Sequence, residues 1–167
     1  PISLKISYYF SNVALMIKRL SETGIAGITL FNRFFSPNID VNAMKVVPAS
    51  IYSTPGEITL PLRWVGIMSN RISCDIAAST GIHDGEAVVK QLLAGANAVH
   101  IASILYKSGL DIIPEMLAWI EKWMAEKGYK SIEEFRGKLS QANTMDPAAY
   151  ERAQFMKHFA GKHSVKM

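Results

Sequence analysis

Two short apolar runs, Asp75–Ala78 and Ala98–Ala102, each end in small residues and turn into a helix, and this pairing constrains the fold more than any other feature of the chain. The first run continues as Ser79-Thr-Gly-Ile-His-Asp-Gly85 and the second as Ser103. Two neighbouring strand-to-helix turns of this kind present rows of backbone N–H groups at helix N-termini. Such groups hold a phosphate through amide donors and helix dipoles, with no lysine required. In a (β/α)8 barrel the loops after strands seven and eight build that site. The pair therefore predicts a phosphate-bearing ligand and places both strands at the end of a barrel.

The rest of the chain alternates in the same way. Leu4–Ser7 reads as a strand, and Ser11 as the N-cap of a helix over Asn12–Thr23, with Val13, Ile17 and Leu20 on one face and Gly24 closing it. Gly27–Phe31 is an apolar strand ending in Asn32-Arg33. Residues 34–60 read as one long functional loop, followed by a helix over Pro61–Asn70. A helix over Gly85–Ala94 is capped by Asp84 and stopped by Gly95. The strand Ala98–Ala102 leads to a long helix over Ile112–Lys127, with Met116, Trp119, Ile120 and Trp123 on one face. Two shorter helices, Ile132–Leu139 and Pro147–His158, end the chain. Four apolar strands joined by helical crossovers imply a parallel sheet. Four β/α units are half of what a closed barrel needs, so the expected architecture is α/β, half of a (β/α)8 TIM barrel with extra C-terminal helices. Its domains are 1–140, the half barrel, and 141–167, a terminal helix with a basic tail. Unpaired edge strands invite association.

Composition narrows the function classes. Of the 167 residues, 49% are hydrophobic and 19% charged, the balance of a core-former. No apolar run reaches the roughly 20 residues of a membrane span, and Pro1–Tyr9 reads as a strand, not a signal peptide. The single cysteine, Cys74, has no internal partner, which points to a reducing, cytoplasmic compartment; it reads as a buried small hydrophobe. The net charge is +4, part of it in the tail at Lys157, Lys162 and Lys166 beside His158 and His163. The other cations are scattered, so no nucleic-acid surface is expected. His83 and His100 lack the spacing and company of metal ligands; His100 reads as a packed strand histidine.

From Lys5 to about Gln141 the sequence resembles the C-terminal half of soluble, class 1 dihydroorotate dehydrogenases. The loop Ser79-Thr-Gly-Ile-His-Asp-Gly85 is similar to their Thr-Gly-Gly-Ile loop. Leu92-Leu-Ala-Gly-Ala96, His100-Ile-Ala-Ser103 and Tyr106-Lys-Ser-Gly109 resemble their final strand and turn. Gly128-Tyr-Lys-Ser-Ile132 with Phe135-Arg-Gly-Lys138 resembles their closing helix. Leu30-Phe-Asn-Arg-Phe34 and Ser53-Thr-Pro-Gly56 with Pro61-Leu-Arg-Trp64 resemble a dihydroorotate dehydrogenase-like subgroup.

The resemblance implies an FMN-dependent oxidoreductase of pyrimidine biosynthesis, oxidising dihydroorotate to orotate by hydride transfer to the flavin. It implies that Lys5, at a strand end, stabilises charge on the flavin. It implies that Ser79, Thr80, Gly81, Ile82, Ala102 and Ser103 bind the FMN phosphate. Thr80 and Ala102 stand where the family has glycine, which limits how closely the backbone approaches a phosphate. Asn32, by the same resemblance, receives the pyrimidine with donor and acceptor. Arg33 replaces a small residue; it pairs with a substrate carboxylate or anchors the long loop to an acidic neighbour. The general base and most substrate ligands belong to the N-terminal half of the barrel, the expected partner, and the family implies a homodimer. Two other readings are a non-catalytic half-barrel module and a different phosphate-binding barrel enzyme. A dihydropyrimidine dehydrogenase-like substrate is a variant of the first.

Overall fold

A computed structural model describes residues 1–34 and 36–151 of the chain. Its main sheet contains β1 (Ser3–Ile6), β2 (Gly27–Leu30), β5 (Asp75–Ser79) and β6 (Ala98–His100), all parallel in the order β1-β2-β5-β6. Its register runs Lys5–Thr29–Ala77–Ala98 across the four strands. The crossovers are α1 (Val13–Ser21), α2 (Thr59–Met68) and α3 (Gly85–Ala94).

Side chains alternate across a strand, and here the two faces have opposite fates. Ile28, Leu30, Ile76 and Ala78 pack against Val13 and Ile17 of α1, Val65 and Met68 of α2, and Ala87 and Ala94 of α3. On the opposite face Ser3, Lys5, Asp75, Ala98 and His100 are exposed, and among the described residues no helix covers them. A depression of about 290 Å³ crosses this face, lined by Ser3, Gly27, Asp75, Ala77, Ala98 and His100. Among the described residues, helices on one face, a bare second face and two unpaired edges at β1 and β6 make the arrangement of half a (β/α)8 barrel.

Several local expectations need correction. Asn12, not Ser11, caps α1: its side chain accepts the Leu15 N–H at 3.0 Å. Residues 34–60 are not a plain loop. They carry an antiparallel hairpin of β3 (Pro37–Asp40) and β4 (Lys45–Pro48), whose turn is fixed by the Asp40 carboxylate accepting from Asn42 and Ala43. A 3₁₀ turn at Pro55–Ile58 then runs into α2 two residues before Pro61.

After β6 the chain forms α4 (Ser103–Ser108), ended by Gly109 at φ +76°, before α5 (Ile112–Lys127). α5 lies on α3 so closely that a Cβ on Gly85 would sit 2.9 Å from Trp119 Cβ. Met116 and Ile120 are buried on this face and Trp123 packs edge-on to Phe135, while Trp119 stays partly exposed.

The helix expected over 132–139 is only a 3₁₀ turn at Ile132–Glu134. Beyond it the N–H groups of Gly137 and Leu139 donate to the carbonyls of Leu92 and Leu93, both at 2.9 Å. The segment thereby caps the C-terminal end of α3, whose last carbonyls lack partners within the helix. Of the helix expected over 147–158, α6 (Ala148–Glu151) is present. Its remainder and the basic tail, with Lys157, His158, Lys162, His163 and Lys166, lie outside the described residues.

Candidate functional site

A parallel sheet brings the C-terminal ends of all its strands to one rim. Lys5 stands near the end of β1, Asn32 and Arg33 just after β2, Ser79 to Ile82 at and beyond the end of β5, and Ala102 with Ser103 beyond β6. These nine residues line a single cavity of about 200 Å³. Ile51, Ser53 and His100 complete its lining, and nothing in the sequence marks them as residues of this site.

The β5 loop is unusual in its backbone. Thr80 has φ +88° and Gly81 φ +77°, so a β-branched residue occupies the left-handed region that favours glycine. The Thr80 hydroxyl donates to the Phe31 carbonyl at 3.3 Å, which helps hold it there. A Cβ on Gly81 would lie 2.2 Å from the Ile58 nitrogen, so only glycine lets this loop lie against the 3₁₀ turn. One expectation fails here: β5 does not turn directly into its helix. Residues 80–84 intervene, and the Asp84 carboxylate accepts the Ala87 N–H at 2.7 Å, closing the end of α3. The cavity is therefore lined by the loop itself and not by the first turn of α3.

A strap over residues 49–54 crosses the second loop and is tied to it at Ser53, which is buried. The Ser53 N–H donates to the Ser103 hydroxyl oxygen at 2.9 Å. Its own hydroxyl lies 3.0 Å from His83 Nε2, and its carbonyl accepts from Lys107 Nζ at 3.1 Å. Lys107 also stands 5.9 Å above the Tyr52 ring. Burial, then the charge of Lys107, lowers the His83 pKa, so the imidazole stays neutral at physiological pH. The motif Ser53-Thr-Pro-Gly56 was visible in the sequence, but nothing local signalled a partner fifty residues away.

Lys5 Nζ donates to the Ser79 hydroxyl at 3.5 Å. Arg33 takes the second of its two expected roles: Nε donates to Glu57 Oε1 at 2.7 Å and Nη1 to the Ile51 carbonyl at 3.0 Å, anchoring the long segment to the rim. His100 is not packed in the core. It is exposed on the uncovered face of the sheet and lines the cavity. Cys74 is half-buried at the edge of the core, where burial pushes its thiol pKa up. Among the described residues no group of three His, Cys, Asp or Glu side chains is placed to hold a metal ion, and no helix is long and apolar enough to cross a membrane.

No protein-family profile matches the chain. Over 140 residues it is 26% identical to the dihydroorotate dehydrogenase B (NAD(+)) catalytic subunit of Pyrococcus abyssi, covering 82% of this chain and 47% of that protein. The corresponding subunit of Bacillus pumilus is 27% identical over 141 residues, 83% of this chain and 45% of its own length. The dihydroorotate dehydrogenase (fumarate) of Lachancea kluyveri is 26% identical over 150 residues, 84% and 48% of the two chains. Among solved structures, DHODH of Eimeria tenella in complex with ferulenol superposes with a TM-score of 0.63 at 18% identity, covering 81% of this chain and 37% of that one. That likeness bears on the fold and agrees with a partial α/β barrel. The chain is dihydroorotate dehydrogenase-like through most of its own length, and it spans about half the length of the curated relatives it matches.

Proposed function

We propose, from this likeness to dihydroorotate dehydrogenases, that the chain supplies the C-terminal half of an FMN-dependent oxidoreductase acting on a dihydropyrimidine. One observation carries the reading: nine residues nominated from four separate strand ends line one cavity at the rim where barrel enzymes keep their active sites.

The residues fit one end of the cofactor. The cavity, about 200 Å³, is smaller than the roughly 300–1,000 Å³ of complete ligand sites, which suits a phosphate and one flavin edge rather than a whole FMN. Ser79, Thr80, Gly81, Ile82, Ala102 and Ser103 would hold the phosphate through hydroxyl and backbone donors. Ser103 is prepared for this: its oxygen already accepts from Ser53, so its remaining proton is directed to another acceptor. The chemistry FMN supplies when bound is hydride acceptance from a dihydropyrimidine carbon. Lys5, steadied by Ser79, would provide the fixed positive charge that favours such an acceptor. Asn32 would receive the ring. The proton acceptor and the remaining substrate ligands would come from the N-terminal half of the barrel, packed on the bare face of the sheet, in a protein that pairs as a homodimer.

The test is an absorbance spectrum of the full-length protein with chromatography of the released cofactor. Flavin bands and FMN are the expected result. A protein with a complete barrel that takes up no FMN overturns the reading.

A further inference from the structure

The rim holds a second cavity that shares a wall with the first. It measures about 360 Å³, has Asn32, Arg33 and Thr80 in common with its neighbour, and adds Tyr8, Phe31 and Glu57. Phe31 is buried, and the Tyr8 ring stands edge-on to it at 5.9 Å between centroids. An aromatic wall of this kind suits a flat ring.

The polar side of this space is electrically balanced. Arg33 Nε bonds Glu57 Oε1 at 2.7 Å. The other carboxylate oxygen of Glu57 accepts from the Thr54 N–H at 2.6 Å and the Thr54 hydroxyl at 3.2 Å. Burial by itself would raise the Glu57 pKa, but the bonds from Arg33 and Thr54 outweigh it and hold the group below the ordinary value, as a carboxylate. The guanidinium is therefore already matched by a negative charge lining the same cavity. The two side chains are 23% and 35% exposed, so solvent screens both, and screening weakens the attraction and the repulsion together. A ring bringing its own carboxylate to Arg33 would meet the like charge of Glu57. A neutral ring meets no such opposition, and the Asn32 carboxamide offers it a donor and an acceptor.

Building on the function proposed above, we propose that the Arg33–Glu57 pair determines specificity, selecting an uncharged cyclic amide or imide over a ring that carries a carboxylate. Rejection by an opposing charge is an established route to discrimination between otherwise similar ligands.

The experiment titrates uracil and orotate, which differ by one carboxylate, against the full-length protein with FMN present. Wild type is expected to bind uracil about tenfold more tightly than orotate, a difference typical of one opposed charge. Glu57→Gln removes the charge and keeps one acceptor oxygen, enough for Arg33 but not also for the Thr54 N–H; it should tighten orotate about tenfold and leave uracil within about twofold. Arg33→Met leaves Glu57 unbalanced and should weaken orotate further. Tighter binding of orotate by wild type, or an unchanged ratio in Glu57→Gln, overturns the proposal. If neither ring binds a protein that does take up FMN, the proposal alone falls. If FMN is refused as well, the underlying functional reading falls with it.

Discussion

The hydroxyl oxygen of Ser103 accepts the backbone N–H of Ser53 at 2.9 Å, joining the turn after β6 to a strap fifty residues earlier in the chain. The bond gives the strap a fixed seat and commits one side of the Ser103 oxygen; in the function proposed above, its proton is the one that would reach the phosphate.

Ser103→Ala removes both functions at once and leaves the Ser53 N–H without its acceptor. We expect FMN affinity to fall about tenfold, the scale of one hydrogen bond to a charged group. Riboflavin, which lacks the phosphate, should be affected much less. Paired titrations of the two flavins against wild type and variant read this directly.

Adjacent residues of the β5 loop should respond in opposite directions. Thr80 carries a side chain at φ +88°, where a non-glycine residue costs about 1–3 kcal/mol. Thr80→Gly relieves that cost and gives up one weak hydrogen bond to Phe31, so a net stabilisation of about 1 kcal/mol is expected. Gly81→Ala creates the strain that Thr80→Gly removes and drives a Cβ into the Ile58 backbone, so a loss of about 3 kcal/mol or more is expected. Urea unfolding midpoints give both signs.

Acid should weaken the fold in two stages. His83 has its pKa lowered in the folded protein by burial and Lys107, so below the ordinary value of 6.5 the unfolded chain binds a proton that the folded chain resists. Stability present above that pH is therefore lost as pH falls toward the lowered folded value. Glu57 repeats the pattern below its ordinary value of 4.5, because its folded pKa is also lowered. His83→Gln keeps a hydrogen-bonding group for the Ser53 hydroxyl in either direction and cannot titrate, and it should abolish only the upper stage of a stability–pH profile.

Asp84→Ala removes the side-chain cap of α3 without touching the cavity. A destabilisation of about 1 kcal/mol is expected, with FMN affinity unchanged. Thermal melts and flavin titration together separate this effect from the Ser103 variant.

What the sequence made legible depended on how local the signal was. The bounds of α3 and α5 emerge as read because Asp84, Gly95 and Gly128 mark their ends with side-chain or backbone chemistry on the spot. The convergence of Lys5, Asn32, Ser79 and Ser103 was legible for a topological reason: parallel strands deliver their ends to one rim. The 3₁₀ segment after Ile132 was hidden because its N–H groups are used to cap α3, a tertiary demand that overrides helical periodicity. Ser53 and Glu57 were hidden for the same reason. Each acts through partners that no spacing rule connects, Ser53 with Ser103 and His83, and Glu57 with Arg33. His100 misled because an apolar strand context suggested burial, whereas its side of β6 belongs to the uncovered face.

That uncovered face has a consequence in volume. Along it the register sets Ser3 beside Gly27 and Asp75, and Thr29 beside Ala77 and Ala98, so its middle is made mostly of small side chains. A barrel interior is filled by stacked layers of side chains contributed from alternate strands, at the density of an organic crystal. If further strands closed this face as in a complete barrel, they would have to bring the bulk themselves, with large branched residues at the heights where this sheet offers glycine and alanine. Size, more than hydrogen bonding at the two edges, is what would distinguish the proper complement from any other exposed strand.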